Sequence, residues 1–401
     1  MNSPTNRYLA DVRVLDASRV LAGPLCGQIL GDLGADVIKI ERPGPGDETR
    51  GWGPPWVQHE VRVSAYYLSC NRNKRAITLD LSSAEGVALF HRLAQQADVV
   101  LENYLPHSAK KLGLDAATLH QINPRLVVAS ISGFGRTGPL AELPGYDFAL
   151  QALSGMMSVT GPIEGPPSKM GVAIVDVLTG MNAAIAVLAC LHARQRSGHG
   201  YHADLALLDS AVAGQVNVAQ AFLATSHEPA RVGNAHLQIV PYQLFETADG
   251  HLVVAVGNDG QWARFCAAAE CPELASDARY ATNPGRVEHR AVLVPLIEAV
   301  MRRHPTAEWI ERFRKADIPH APVRGYAGLF ADPQALARNL RVTVRDVAGH
   351  EVDLLGSPLR IDGEVPSMTM PPTMGQHTDE VLAELGISAE EIAALRERGV
   401  V

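Results

Sequence analysis

Cysteine is scarce and scattered: Cys26, Cys70, Cys190, Cys266 and Cys271 are odd in number, with no CxxC pair among them. That spacing supports neither a disulfide framework nor a cysteine-rich zinc cluster, and a reducing compartment is expected. Positive charge is also in short supply, with 35 Lys+Arg against 43 Asp+Glu, a formal net charge of −8 and no sustained basic block. A primary role on nucleic acid or an anionic membrane thus lacks global electrostatic support, although a local anion site is compatible with it. The start, MNSPTNRYLADVRV, has neither the basic nor the apolar region of a signal peptide. No apolar run reaches the roughly 18–20 uninterrupted residues of a membrane span, and the most apolar stretch is Gly180–Leu191. The expectation is a cytoplasmic chain with no nucleic-acid or membrane partner.

Several signatures of chemistry are missing too. There is no GxGxxG after the first strand-like run, no GxxxxGK[ST], no HExxH and no GxSxG, so nicotinamide, P-loop, zincin and α/β-hydrolase readings lack their motifs. What is present is a chain of 401 residues, 47% hydrophobic and 19% charged, long enough for two or three domains. Its first half alternates β-branched runs with helical patterns, as parallel βαβ units do. VRVLDAS (12–18), ADVIKIE (35–41), RAITLDL (75–81), DVVLENY (98–104) and RLVVASISGFG (125–135) read as strands, and HADLALL (202–208) as one more. Ser82 and Glu85 stand in capping-box spacing ahead of a helix carrying Leu89, Phe90, Leu93 and Ala97. A long helix runs from about Val177, with Asp176 at its cap position, to a basic last turn and a stop at Gly198. Residues 210–225 read as a further helix, and Asp249-Gly250 as a turn in a separate α+β segment. The chain closes with an amphipathic helical pair, Asp379–Arg398. The fold expected is a doubly wound α/β sheet with ligands at the C-terminal strand ends, plus a smaller α+β domain. The expected boundaries are 1–205 for the large domain, 206–225 for a linker helix, 226–325 for the small domain, 326–350 for a second linker and 351–401 for the return to the large domain.

Four longer segments are more specific: residues 14–55, NRNKRAITLDL (71–81), ENYLPHSAKKLGL (102–114) and GVAIVDVLTGMNAAIAVLACLHARQRSGHG (171–200). With GNAHLQIVPYQLF (233–245) and PPTMGQHTDEVLAELGIS (371–388) they resemble the class III CoA-transferases, including their succinyl-CoA:dicarboxylate subgroup. The resemblance implies a Rossmann-like large domain, an inserted small domain and two ring-shaped chains interlocked as a homodimer. It implies transfer of CoA from an acyl-CoA thioester to a small carboxylic or dicarboxylic acid, with coenzyme A as substrate and no prosthetic group or metal. The same fold also hosts an acyl-CoA racemase and could be retained in a non-catalytic acyl-CoA-binding protein. The racemase histidine position holds Tyr146 here, and a phenol with an ordinary pKa of about 10 is a poor exchange base at neutral pH.

By physics alone, an aspartate at a helix cap is a structural N-cap. The resemblance instead makes Asp176 the nucleophile, kept ionised by the helix N-terminus, with Tyr146 a hydrogen-bond donor near the acyl carbonyl. It places Val20, Leu21 and Ala22 at the first βα turn against CoA and the acyl group. Arg42, Asn103 and Tyr104 match CoA contacts, Lys111 stands where an arginine is common, and Lys74 and Arg75 open the next strand. In GNDGQ, Gly257, Gly260 and Gln261 are candidates for a lid or oxyanion loop, a plain hairpin turn being the alternative. His236, Gln238 and Tyr242 are candidates for the acceptor carboxylate.

Overall fold

The computed structural model describes residues 8–57, 62–346 and 349–401. Residues 1–7, read above for a leader, lie outside that set. The chain forms two compact units. The first comprises the chain up to Met156, Met170–Ser226 and Gln334–Val401; the second comprises Met157–Lys169 and His227–Pro333. The second unit therefore takes a short excursion at 157–169 that the sequence pattern did not indicate. The stretch 206–225 belongs to the first unit rather than forming a separate linker, and the second unit runs on to Pro333.

The first unit is built on six strands: β1 (Arg13–Asp16), β2 (Asp36–Glu41), β3 (Lys74–Thr78), β4 (Val99–Glu102), β5 (Val127–Ser132) and β6 (Tyr201–Ala206). They lie in the order β3-β2-β1-β4-β5-β6, and every pairing is parallel. Parallel strands covered on both faces read as nearly continuous apolar runs, and β4 and β5 are buried at every position. Apolar clusters fill both sides of the sheet. One joins Ile38, Ile77 and Val100 to Leu89, Phe90 and Leu93 of α2 (Ala84–Gln95). The other joins Val14, Val37 and Val127 to α1 (Ala22–Asp32) and α4 (Ile174–Ser197). The C-terminal helices α10 (Thr378–Glu384) and α11 (Ala389–Glu397) add Val381, Leu382, Ile392 and Leu395 to the first cluster.

Three local expectations change. Helix α2 is capped by Ser83, whose hydroxyl accepts the Gly86 N–H at 3.0 Å, and not by Ser82. Asp80 Oδ1 takes both the N–H and the hydroxyl of Ser82, at 3.0 and 2.6 Å, so a side-chain turn consumes that serine before the helix begins. The stretch 210–225 holds two helices, α5 (Leu207–Ala213) and α6 (Val216–Thr225), broken at Gly214 and Gln215. Helix α4 begins three residues earlier than read, at Ile174.

At 24 residues α4 is, by length and composition alone, apolar enough to cross a bilayer. Its inner face is nevertheless core: Val175, Ala183, Ala184, Val187 and Leu191 are buried against the sheet and α1. Gly180 makes that contact close, since a Cβ there would sit 2.6 Å from the Ala22 carbonyl oxygen. The same glycine brings the start of α1 alongside the first turns of α4.

The second unit has a three-stranded antiparallel sheet of β7 (Tyr242–Glu246), β8 (His251–Ala255) and β9 (His320–Pro322), with β8 central. The β7–β8 turn falls at Asp249-Gly250, as read. Helices α7 (Asp259–Ala268), α8 (Arg290–Met301) and α9 (Thr306–Lys315) share one core with the sheet through Trp262 and Phe265, Leu293 and Ile297, and Trp309 and Phe313. The Phe265 and Phe313 rings stack at 5.6 Å and those of Trp309 and Phe313 at 5.2 Å.

Candidate active site

In the first unit the strand order reverses between β1 and β4, and a crevice at the C-terminal ends of these strands is the place a doubly wound sheet offers a ligand. The turn after β1 and the loop after β4 are laced together there. Asn103 Oδ1 accepts the Arg19 N–H at 3.0 Å and its Nδ2 donates to the Arg19 carbonyl at 2.8 Å. The Arg19 guanidinium lies 5.3 Å from the Tyr104 ring centroid and also pairs with Glu48 at 2.6 Å. Val20 has φ 72, a left-handed backbone that a β-branched residue adopts only under constraint.

That constraint comes from beneath. Asp16 accepts from Ser18 and from Lys74 Nζ at 2.8 Å. Lys39 Nζ donates to the Ser18 carbonyl at 3.2 Å and to Asp47 Oδ2 at 2.9 Å, and the Val20 N–H reaches the same Asp47 oxygen at 3.4 Å. All four charged side chains are buried. Burial opposes ionisation of Asp47, but Lys39 and the Thr49 hydrogen bonds overcome it and bring its carboxyl down to about 2. Burial likewise works against charge on Lys39, and the Asp47 carboxylate outweighs it, holding the ammonium above its ordinary range. The turn carrying Val20, Leu21 and Ala22 is thus fixed by two buried ion pairs that sequence reasoning missed. Their signal was a charge at the end of, or inside, an otherwise apolar strand: Asp16 in RVLD and Lys39 in DVIKIE.

Two expected CoA-binding cations have other work. The three ammonium donors of buried Lys74 go to Asp16, the Pro24 carbonyl at 2.7 Å and Asn71 Oδ1 at 2.9 Å, leaving none for a phosphate. Arg75 stands at the start of β3, the end of the sheet away from the crevice, and pairs with Asp36, Glu380 and Glu384 at 2.5–2.7 Å. Both are therefore corrected to structural ion pairs. Arg42 and Lys111 remain exposed beyond β2 and in the helix Pro106–Lys111. Lys111, Tyr104, Ser108, Ser82 and Ser83 line a cleft of about 650 Å³ whose apolar walls include Leu81, Val87 and Leu112.

Asp176 lies in the first turn of α4, not at its cap. The cap function belongs to Asp147, at the start of α3 (Asp147–Leu153). Its Oδ1 accepts the N–H of Val175 at 2.7 Å and of Asp176 at 3.4 Å, and its Oδ2 accepts from Gln151 at 2.6 Å. Gly133 and Gly145 allow this approach: a Cβ on Gly133 would lie 2.6 Å from the Gly145 Cα, so the end of β5 and the start of α3 pack backbone to backbone. The expectation that the helix N-terminus keeps Asp176 readily ionised is overturned. Burial, and then the Asp147 carboxylate, push the Asp176 carboxyl up to about 7. Tyr66 shares this surrounding, its phenol raised to about 12 by burial first and by Asp176 next. Tyr146 is 67% exposed, and its hydroxyl has no partner among the described residues.

In the second unit the 257–261 segment is a strand-to-helix turn, neither an open loop nor a hairpin. The Gly257 N–H donates to Gln261 Oε1 at 2.7 Å, the Gln261 N–H donates to Asn258 Oδ1 at 2.9 Å, and Gly260 is inside α7. The Gly257 and Gln261 N–H groups are thus spent on a helix cap in this conformation, and Gly260 lies in the first turn of the helix. His236 Nδ1 accepts the Gln238 N–H at 3.0 Å, and the His236 and Tyr242 rings lie 5.3 Å apart. Among the described residues no group of three or more His, Cys, Asp or Glu is placed to hold a metal ion.

The sheet order, the crevice at its switch point and the half-buried Asp176 carboxylate define an α/β protein with a doubly wound parallel sheet. Residues 9–378 match CoA-transferase family III. The succinate–glutarate CoA-transferase of Agrobacterium fabrum is 42% identical over 94% of this chain and 95% of its own length. The human succinyl-CoA:glutarate CoA-transferase is 39% identical over 98% of this chain and 90% of its own. Among solved structures, a CAIB/BAIF family protein from Brucella suis superposes with TM-score 0.83 at 41% identity, covering 96% of this chain and 100% of that one. The chain therefore belongs to CoA-transferase family III and is an enzyme of that class.

Proposed function

We propose that this enzyme moves CoA between succinyl-CoA and a small dicarboxylic acid of the glutarate type, with Asp176 as the covalent carrier. The single observation that carries the mechanism is the Asp176 carboxylate itself. Among the described residues it has no cation bonded to it, its carboxyl is pushed up to about 7, and it sits one helical turn from the Gly180 contact that brings in the start of α1. A carboxylate poised near neutrality is charged often enough to attack and is not neutralised by an ion pair. The names of the relatives support the choice of donor and acceptor.

The steps balance without an outside reagent. An Asp176 oxygen attacks the thioester carbonyl, the C–S bond breaks, and CoA leaves as thiolate with a mixed anhydride left on the aspartate. The thiolate attacks the aspartyl carbonyl and expels the donor acid as its carboxylate, giving an aspartyl-CoA thioester. The acceptor carboxylate then attacks that thioester, and the two steps run in reverse to release acceptor-CoA and free Asp176. Arg42 and Lys111 would meet the CoA phosphates, the cleft beside Tyr104 would take the nucleotide, and the braced Val20–Ala22 turn would border the acyl end. Incubation with succinyl-CoA, trapping with hydroxylamine or borohydride, and peptide mass spectrometry test this. A modification on Asp176 is expected, and labelling confined to any other residue refutes the assignment.

The interlocked homodimer implied by the resemblance is part of the same reading. Helix α6 is apolar yet buries none of its residues in this chain, with Val216 and Leu223 70% and 74% exposed, which supports cover by a second copy. Native mass spectrometry is expected to give twice the 42.9 kDa chain mass; a monomer at micromolar concentration rejects it.

A further inference from the structure

Tyr104 is gripped at both ends of its own backbone. Glu102 Oε2 accepts its N–H at 2.9 Å, and Arg136 Nη1 donates to its carbonyl at 2.9 Å. Arg136 Nη2 closes the circuit by pairing with Glu102 Oε1. The Glu102 side chain is fully buried and that of Arg136 is 13% exposed. Arg136 is itself tethered, its backbone N–H donating to Asp204 Oδ2 at 2.9 Å.

This arrangement is poorly explained as a device for stability. A buried ion pair contributes little net stabilisation because desolvation consumes most of the attraction. Here the cost is higher still, since Arg136 Nε is buried with no hydrogen-bond partner among the described residues. Burial also raises the Glu102 carboxyl, with the Arg136 charge opposing that shift. What the pair accomplishes is geometric. It sets the peptide of the residue whose ring walls the 650 Å³ cleft, directly after Asn103, which braces the turn after β1.

We propose that Arg136 is a positioning residue for CoA: its forked guanidinium, locked to Glu102, holds Tyr104 and thereby presets the cleft for the nucleotide end of the substrate. The inference rests on the reading that CoA binds at this crevice. Arg136 touches no reacting atom, so its effect falls on binding and not on the chemical step.

Arg136→Lys is the discriminating variant. Lysine retains the charge that neutralises Glu102 but has no planar fork to hold the Tyr104 carbonyl at the same time. Calorimetric titration with CoA and steady-state kinetics with succinyl-CoA are expected to show Kd and KM raised about tenfold, the loss of one charge-assisted hydrogen bond. The kcat should stay within about twofold and Tm within about 2 °C, because the pair survives. Wild-type affinity in Arg136→Lys overturns the proposal, as does a kcat that falls in step with affinity. Should that variant not fold, Glu102→Gln/Arg136→Met removes both buried charges together and is expected to show the same loss of CoA affinity; native affinity in the folded double variant refutes it. A wild type that binds CoA while the variants behave identically leaves the transferase reading standing and removes only this inference. A wild type that binds no CoA removes both.

Discussion

Asp176→Asn is expected to lower CoA transfer from succinyl-CoA to glutarate by roughly 10⁴-fold or more, the scale on which loss of a covalent nucleophile is felt. An amide of nearly the same shape cannot form the anhydride or the thioester. CoA binding should change little, because the Arg19–Asn103 brace, the buried ion pairs under Val20 and the cleft beside Tyr104 do not involve Asp176. Isotope exchange between free and thioester-bound CoA should vanish along with turnover. Near-normal turnover would refute the covalent role.

The same variant carries a stability prediction whose sign follows from the ionisation shift. Folding raises the Asp176 carboxyl from an ordinary value to about 7, so between about pH 4 and 7 the folded state binds more protons than the unfolded one. Stability from this group accordingly falls as pH rises through that window and is at its lowest above pH 7. Asp176→Asn removes a carboxylate that is costly to ionise there. Its Tm at pH 8 should exceed the wild-type value by on the order of 2–4 °C, and the difference should shrink toward pH 5. A Tm gain that is constant with pH would show that the gain has another origin.

Asp147→Asn is the second large effect, and it is one of pH dependence. The side-chain oxygen that accepts the Val175 N–H is retained while the charge that raises Asp176 is removed. In the wild type, kcat/KM should rise with pH through a limb near 7 as Asp176 ionises. In Asp147→Asn that limb should move down by about one unit, so activity at pH 6 relative to pH 8 increases several-fold. The limb does not return to the ordinary carboxylate range, because burial is the larger cause. An unmoved limb would mean that another group controls the profile.

The fold class was readable because its signals are local. Short β-branched runs such as VVASIS alternate with amphipathic helices, and a chain that buries both faces of its strands must show that pattern. The glycine stop at Gly198 and the turn at Asp249-Gly250 were equally visible, being backbone requirements of single positions. Asp176 was singled out in another way, through resemblance of the segment around it and not through any property of the side chain. The two-domain plan was legible as a change in composition, but the 157–169 excursion was not, since a short irregular segment carries no periodicity to betray which unit it joins.

Charge was misread wherever its meaning depended on a distant partner. Lys74 looks like a phosphate ligand until β3 and β1 place it on Asp16, a residue 58 positions earlier. Arg75 looks the same until the returning C-terminal helix brings Glu380 and Glu384 to it. The ionisation of Asp176 was reversed for a related reason: the N-terminal donors of α4 were counted in its favour, and tertiary structure gives them to Asp147 from another helix. By itself, then, the sequence determined the α/β architecture and the strands that carry it, which depend on neighbours along the chain, while Asp176 was singled out by resemblance. Only the tertiary structure decided which charges are buried in pairs, which remain free beside the crevice, and the state in which the carboxylate waits. Coulomb interaction and desolvation act through space, and the distances that set them exist only once the sheet has brought remote segments together.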